Sequence, residues 1–246
     1  MTATLTLEAS QIEAAGRAVL YTLCAYGLAQ PTSSRWLQVN KVLLPAALTL
    51  DTSPPLSALI EEVSAATPTA CEALASSHLR LFPPIVSQDA PGYETAYRGS
   101  DLFIQVGLLA DIAGFYKAHG LRSGGPVKER PDHIVVELEF CALLAKKELY
   151  ALVHLSSHEV EVCRNTRTTF LRDHLGCWAP AFGRRLAAVT QHPFYRSLGL
   201  LTAAWIEAEM ATEGVTPAEC ADQPLPQESP DDGECGPCAV PSAGRT

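Results

Sequence analysis

The residues with the most chemical potential lie in one run, Lys128-Glu129-Arg130-Pro131-Asp132-His133, directly before the apolar segment 134–140. Carboxylates, a guanidinium and an imidazole can together hold a charged ligand or exchange protons. The proline suits the first turn of a helix. Asp132, which follows it, then lies near the positive end of the helix dipole. Glu137 follows His133 by four residues and can hydrogen-bond its imidazole. The local pattern also fits an ordinary helix start with a solvated histidine.

The elements that must position this run are helices. Apolar residues recur at helical spacing along most of the chain, and no segment alternates as a β-strand would. The spacing predicts an all-α fold, arranged as a single helical domain or as two helical lobes joined by a hinge loop. Predicted helices cover about 8–28, 34–44, 55–66, 69–82, 102–120, 131–155, 157–175, 182–189 and 193–208, with Pro180 interrupting the pattern after Trp178.

Composition divides the chain into four parts. An N-terminal helical lobe is predicted over 1–119, a hinge loop rich in glycine and proline over 120–130, and a C-terminal helical lobe over 131–212. Beyond these, 213–246 contains six prolines between residues 217 and 241 and is strongly acidic. Proline prevents regular helix and the acidic residues repel one another, so this last part is predicted to be a flexible tail.

The segment 83–99 is a loop by composition, yet it contains Tyr93 and Tyr97 and follows Phe82. Aromatic side chains in a surface loop either anchor the loop in the core or form the wall of a groove that binds a peptide. The sequence pattern alone leaves both interpretations open.

Several segments, in order over about residues 70–210, resemble the TorD/DmsD/NarJ family of redox-enzyme maturation chaperones. Glu129-Arg130-Pro131-Asp132-His133, followed by Glu137-Leu138-Glu139-Phe140, resembles the Glu-x-Pro-Asp-His signature of that family. Further matching segments are 78–84, 92–97, 109–120, 170–175 and 178–182. Within the family, the sequences of these segments most resemble those of chaperones dedicated to the dimethylsulfide dehydrogenase, ethylbenzene dehydrogenase, chlorate reductase and selenate reductase group.

The resemblance implies a chaperone with no catalytic residues and no cofactor of its own. Its partner would be the precursor of a molybdopterin-containing oxidoreductase subunit, including its twin-arginine signal peptide, and it would be a monomer or a domain-swapped dimer. Such a peptide has a basic end and an apolar stretch, so its receptor needs carboxylates beside an apolar groove. The residues implied for partner binding are Leu81, Phe82, Tyr93, Glu94, Tyr97, Glu129, Arg130, Pro131, Asp132, His133 and Glu137.

Charge and hydropathy narrow the class of partner. The net charge of −9 argues against nucleic acid or an anionic membrane surface. Residues 1–20 lack the features of a signal peptide, and no apolar run reaches the roughly 18 residues that a membrane span needs. These observations predict a cytoplasmic protein without stable membrane insertion. Five cysteines lie within apolar helical patterns and are predicted to be buried, reduced thiols: Cys24, Cys71, Cys141, Cys163 and Cys177.

The tail contains Cys235-Gly236-Pro237-Cys238, the spacing of a thioredoxin-type redox motif. No helix or βαβ unit is predicted around it, and with Cys220 it falls one short of four zinc ligands. An inert tail, metal handling and thiol exchange therefore remain alternatives, and a thiol-redox protein is the alternative function. His154 and His158 could share a helix face as metal ligands, although no third ligand is indicated, and 123–128 lacks the spacing of a phosphate-binding loop.

Overall fold

A computed structural model of the chain describes residues 8–83, 87, 89–121, 129–218 and 223–225. These residues form α-helices with no β-strand; Tyr93 and His133 make one isolated antiparallel bridge. The all-α prediction is confirmed. The helices are α1 Ala9–Leu28, α2 Ser33–Gln38, α3 Leu44–Ala47, α4 Pro54–Ala66, α5 Glu72–Leu81, α6 Thr95–Arg98, α7 Leu102–Ala118, α8 Ile134–His154, α9 Ser157–Phe170, α10 Gly176–Val189 and α11 Pro193–Thr212, with π-helical turns at Val39–Leu43 and Leu171–Leu175.

The core lies between α1 and α8 and between α10 and α11, the two most extensive helix pairs. Apolar side chains at helical spacing place one face of each helix in a single continuous cluster of buried residues. Its largest fully buried members include Trp178, Tyr21, Tyr195 and Phe140. Because α1 packs on α8, residues from both predicted lobes share this cluster. The division into lobes stays a prediction.

Two predicted boundaries are wrong. Pro180 lies inside α10, which continues from the π turn Leu171–Leu175 and does not end at Trp178. This π turn interrupts the regular α-helical hydrogen bonds shortly before Pro180. The missing amide hydrogen of the proline therefore has a smaller effect. The second correction concerns α8, which begins at Ile134 with His133 as its N-cap, so Pro131 precedes the helix.

Helices α10 and α11 touch at two glycines. A Cβ atom added to Gly183 would lie 2.4 Å from the carbonyl oxygen of Gly199, and one added to Gly199 would lie 2.6 Å from the carbonyl oxygen of Gly183. Both distances are shorter than real carbon–oxygen contacts. The two backbones therefore approach as closely as they do only because neither position carries a side chain.

The first half of α7 projects from the bundle. Of its 17 residues only Ile112 and Tyr116 are buried, whereas Leu102, Phe103 and Val106 are largely exposed. The second half is anchored by the Tyr116 hydroxyl, which donates to the carbonyl of Pro131 at 2.8 Å. A helix that is apolar around most of its circumference is normally buried, so this exposure is unusual.

Several predictions fall partly outside the described residues. These are the hinge segment 122–128 and most of the tail, including Cys220, Cys235 and Cys238. The described part of the tail contacts α6, where the Leu225 amide donates to the carbonyl of Ala96 at 2.8 Å. The five cysteines predicted to be buried thiols are confirmed as buried. Burial raises the pKa of Cys24 to about 12, which keeps that thiol protonated and unreactive.

Candidate partner-binding groove

A groove of about 990 Å³ lies where α5, α8, the segment before α8 and the end of α1 meet. Most of its surface is apolar, with a few charged groups among the apolar side chains. It brings together seven of the eleven residues that the sequence resemblance implied, namely Leu81, Phe82, Tyr93, Glu129, Arg130, Pro131 and His133. The other four, Glu94, Tyr97, Asp132 and Glu137, do not line it.

Asp132 fixes the segment before α8 against α6. Its carboxylate is fully buried and accepts two hydrogen bonds from Arg130, at 3.0 and 2.8 Å. It also accepts from the hydroxyl and the amide of Thr95, at 2.8 and 3.3 Å, and its carbonyl accepts from the Glu94 amide. Every oxygen of this aspartate is therefore engaged within the protein. Asp132 positions the groove and does not offer a carboxylate to a ligand.

Arg130 and Tyr93 form the rim of the groove above this aspartate. The guanidinium carbon of Arg130 lies 4.7 Å from the centroid of the Tyr93 ring, a cation–π contact. Arg130 also donates to the Thr95 hydroxyl at 2.7 Å, while its side chain remains 44% exposed. Since Asp132 holds the guanidinium in a bidentate pair, the tyrosine ring is held in place indirectly.

His133 joins the helix start to the wall of the groove. Its Nδ1 accepts from the Val135 amide at 3.3 Å and so caps α8, which leaves Nε2 to carry the proton of the neutral ring. Its ring packs edge-on against Tyr93, with centroids 5.0 Å apart. Burial lowers the pKa of His133 to about 4, although Asp132 opposes this shift. The imidazole is therefore neutral near pH 7.

This histidine should make stability depend on pH. An unfolded histidine takes up a proton below about pH 6.5, whereas the folded His133 does so only near pH 4, so its contribution is lost as the pH falls between these values. In the His133→Asn variant, which keeps a capping oxygen, the slope of unfolding free energy against pH should fall by up to about 1.4 kcal/mol per pH unit in this window. Urea titrations at several pH values measure it.

The exposed Leu155, at the end of α8, supplies a control that removes no ionisable group. Leu155→Asn should leave the slope unchanged in the same window. Equal slopes for the wild type and His133→Asn would contradict the neutral, buried state of His133.

The remaining carboxylates of the sequence prediction lie behind the groove. Glu94 is fully buried, accepts from Arg98, and lies 3.1 Å from Nδ1 of His174. The other ring nitrogen of His174 lies 3.1 Å from Asp111, on α7. This cluster connects α6, α7 and the π turn before α10, so the contacts of Glu94 stabilise the fold.

Glu137 points away from His133. Its carboxyl accepts from the Trp178 indole at 3.1 Å, so the hydrogen bond to His133 expected from the sequence is not formed. Burial, together with Glu94, raises the pKa of Glu137 well above its usual value. Tyr97, only 3% exposed, packs on Trp178 with ring centroids 5.3 Å apart. Of the two loop tyrosines, Tyr97 is thus a core anchor and Tyr93 forms part of the groove wall.

The sequence analysis missed a second set of groove residues. Val136, Glu139 and Leu143 lie at helical spacing on α8, and this spacing was the signal that could have revealed them. Leu28, Arg35 and His78 come from distant helices, which no local pattern connects. The carboxylates that do line the groove are Glu129 and Glu139. Neither makes a salt bridge with another described residue, whereas Arg35 donates to the Gln30 carbonyl and stacks on Tyr26.

A separate network of buried charges holds four helices together. Arg167 of α9 is fully buried and pairs with Glu148 of α8 at 2.6 Å and with Glu213 after α11. Arg17 of α1 pairs with Glu209 of α11 at 2.9 Å and with Glu213 at 3.0 Å. Burial alone would lower the pKa of Arg167, but Glu209 and its neighbours raise it above its usual value. None of these charged residues lines the groove, and their contacts hold the helices together.

Within the described ranges, no three His, Cys, Asp or Glu residues come together as a metal site. His154 packs against Tyr150 at the end of α8, with ring centroids 4.7 Å apart. No helix among the described residues is both long and apolar enough to span a bilayer.

Residues 46–184, more than half of the chain, match the family model described as nitrate reductase delta subunit. The chain belongs to the nitrate reductase delta subunit family. The matched region contains α5, the rim residues Tyr93 and Arg130, and the start of α8. The resemblance to the TorD/DmsD/NarJ chaperones noted in the sequence is thereby confirmed.

Relatives of this family member include a chlorate reductase assembly chaperone protein from Ideonella dechloratans, 35% identical over 97 residues, which is 39% of this chain and 47% of the relative. A selenate reductase assembly chaperone protein from Thauera selenatis is 38% identical over 33% of this chain and 42% of the relative. The chaperone protein TorD from Vibrio vulnificus (strain YJ016) is 24% identical over 50% of this chain and 56% of the relative. The matched parts thus span about half the length of these relatives.

Proposed function

We propose that this chain is a maturation chaperone that acts in the cytoplasm and is not an enzyme. It binds the precursor of a molybdopterin-containing oxidoreductase subunit, with its twin-arginine signal peptide, while the cofactor is inserted and before export. Membership of the family and the names of the relatives, assembly chaperones for chlorate and selenate reductases, support this function.

The observation that carries the proposal is the composition of the groove. Apolar side chains such as Phe82 and Val136 line a channel in which Glu129 and Glu139 make no salt bridge with another described residue, while the arginines of the lining are engaged within the protein. An apolar peptide segment can bury its side chains there, and the adjacent basic residues can pair with the two glutamates. The groove thus fits a segment that is apolar along most of its length and basic at one end.

A pair of substitutions on α8 tests this assignment. Val136→Glu places a charge on the lining of the groove and should weaken binding of a twin-arginine leader peptide at least about tenfold, because a buried unpaired carboxylate disfavours an apolar ligand. Val153→Glu makes the same substitution at an exposed position on the same helix and should leave binding unchanged. Calorimetric titration of the purified chain with the synthetic leader peptide gives both dissociation constants.

A second measurement identifies the partner in cells. The chain, purified from cells that make respiratory molybdoenzymes, should carry a molybdoenzyme catalytic subunit that mass spectrometry can identify, and Val136→Glu should lose it. Equal recovery by Val136→Glu and Val153→Glu would refute the groove as the binding site. Recovery only of mixed disulfides through Cys235 would instead favour the thiol-redox alternative.

A further inference from the structure

The outward face of α7 carries an apolar surface with no partner among the described residues. Phe103 is 89% exposed and Val106 is 57% exposed, and Leu102 beside them is 71% exposed. Helical spacing places Phe103, Val106 and Gly114 opposite Ile112, the residue that α7 buries in the protein. The face therefore points directly away from the core.

This face has a bulky half and a flat half. Phe103 and Val106 stand in its first turns, whereas Gly107, Ala110 and Gly114 follow them along the same side of the helix. Nothing lies within 4 Å of a Cβ atom placed on Gly107 or Gly114, so the flat half is open. A second helix of the same sequence, running in the opposite direction, would bring its bulky half over this flat half.

We propose that α7 is the surface through which two copies of this chain associate, with the two helices antiparallel about a two-fold axis between Leu108 and Leu109. In this register Phe103 of each copy lies over Gly114 of the other, and Gly107 lies opposite Ala110. Each contact occurs twice, as a two-fold interface requires. The two residues that α7 buries against the rest of the described protein, Ile112 and Tyr116, lie on the side of the helix away from this contact.

The charges on α7 favour the same arrangement. Asp101 caps the helix by accepting from the amides of Phe103 and Ile104 through one carboxylate oxygen, and Lys117 is exposed at the other end. The antiparallel register places Lys117 near Asp101 of the partner subunit, again twice. A parallel pair would instead place like charges together, so charge complementarity selects the antiparallel dimer.

The contact is small. Helix α7 has 17 residues and is about 25 Å long, so the pair buries an area at the low end of specific interfaces. The dimer should therefore form reversibly, with a dissociation constant in roughly the micromolar range. It differs from a domain-swapped dimer, because no element is exchanged between the copies.

Sedimentation velocity of the full chain over a concentration series, from about 1 to 200 μM, tests the proposal around the expected dissociation constant. The wild type should shift from monomer to dimer across this range. Phe103→Glu and Gly114→Leu should each raise the dissociation constant at least about tenfold, the first by placing a charge in the interface and the second by filling the flat half. Leu37→Glu changes another apolar residue, 60% exposed on α2, and should leave the constant unchanged.

Gly114→Leu keeps the test independent of folding. Its side chain enters open space and replaces glycine within a helix, so the monomer should be at least as stable as the wild type. A wild type that stays monomeric at every concentration would overturn the proposal, as would a dimer that neither α7 variant weakens. If the monomeric wild type binds a leader peptide that Phe103→Glu does not bind, the face belongs to the client, and the proposed chaperone function stands without self-association.

Discussion

The Arg167→Ala variant is expected to lose about 3–5 kcal/mol of unfolding free energy, the largest effect of any substitution considered for this chain. Arg167 is fully buried and provides the counter-charge for Glu148 and Glu213, and its Nε lies 3.8 Å from Glu209. Removing it leaves buried carboxylates with too little positive charge and opens a cavity where α8, α9 and α11 meet. Urea denaturation, followed by circular dichroism, measures the change.

Arg184 is the matched control. It also pairs with a glutamate, Glu207, but both side chains are about half exposed, so water can replace the lost contact. Arg184→Ala should change the unfolding free energy by no more than about 0.5 kcal/mol. Equal losses in the two variants would mean that burial of the network is not the source of its contribution.

The second large effect is expected for Asp132→Ala, both on stability and on binding. The substitution removes four hydrogen bonds that Asp132 accepts from Arg130 and Thr95, and it should lower the free energy of unfolding by about 2–3 kcal/mol. This loss is smaller than for the breaking of a fully buried ion pair, because the half-exposed Arg130 can be hydrated. Without its carboxylate partner, Arg130 no longer holds Tyr93 at the rim. Affinity for the leader peptide should therefore fall at least about tenfold.

These two consequences of Asp132→Ala can be separated. Asp51, exposed on the loop before α4, is the control, and Asp51→Ala should change neither quantity. If Asp132→Ala lowers stability but leaves peptide affinity and client maturation unchanged, then Asp132 supports the fold only and does not shape the bound peptide. The same outcome for His133→Ala would extend that conclusion to the start of α8.

Helix positions were predictable where one face of a helix is apolar and the other polar. The stripe Ile134, Leu138, Cys141 and Ala145 identified α8, because burial on a shared core requires that spacing. Pro180 was misread because its tolerance depends on the neighbouring π turn, which arises from packing and has no local sequence signature.

The roles of the charged residues were harder to predict. Glu94, Asp132 and Glu137 resemble a receptor for arginine in the sequence, yet all three are buried, and each has at least one hydrogen-bond partner 37 to 80 residues away in the sequence. A side chain's accessibility depends on long-range contacts that spacing does not determine. Conversely, Glu139 looks like an ordinary solvent-facing residue of α8, and only the approach of α1 and α5 makes it part of a groove.

The glycine contact between α10 and α11 limits how this protein can move. With Gly183 and Gly199 in backbone contact, the two helices cannot slide or rotate past each other without a steric clash, so they behave as a rigid body. None of the described residues that line the groove belongs to this pair, but Phe182 of α10 packs against Phe82 of the groove, with ring centroids 6.4 Å apart. The rigid pair therefore supports one wall of the groove from behind.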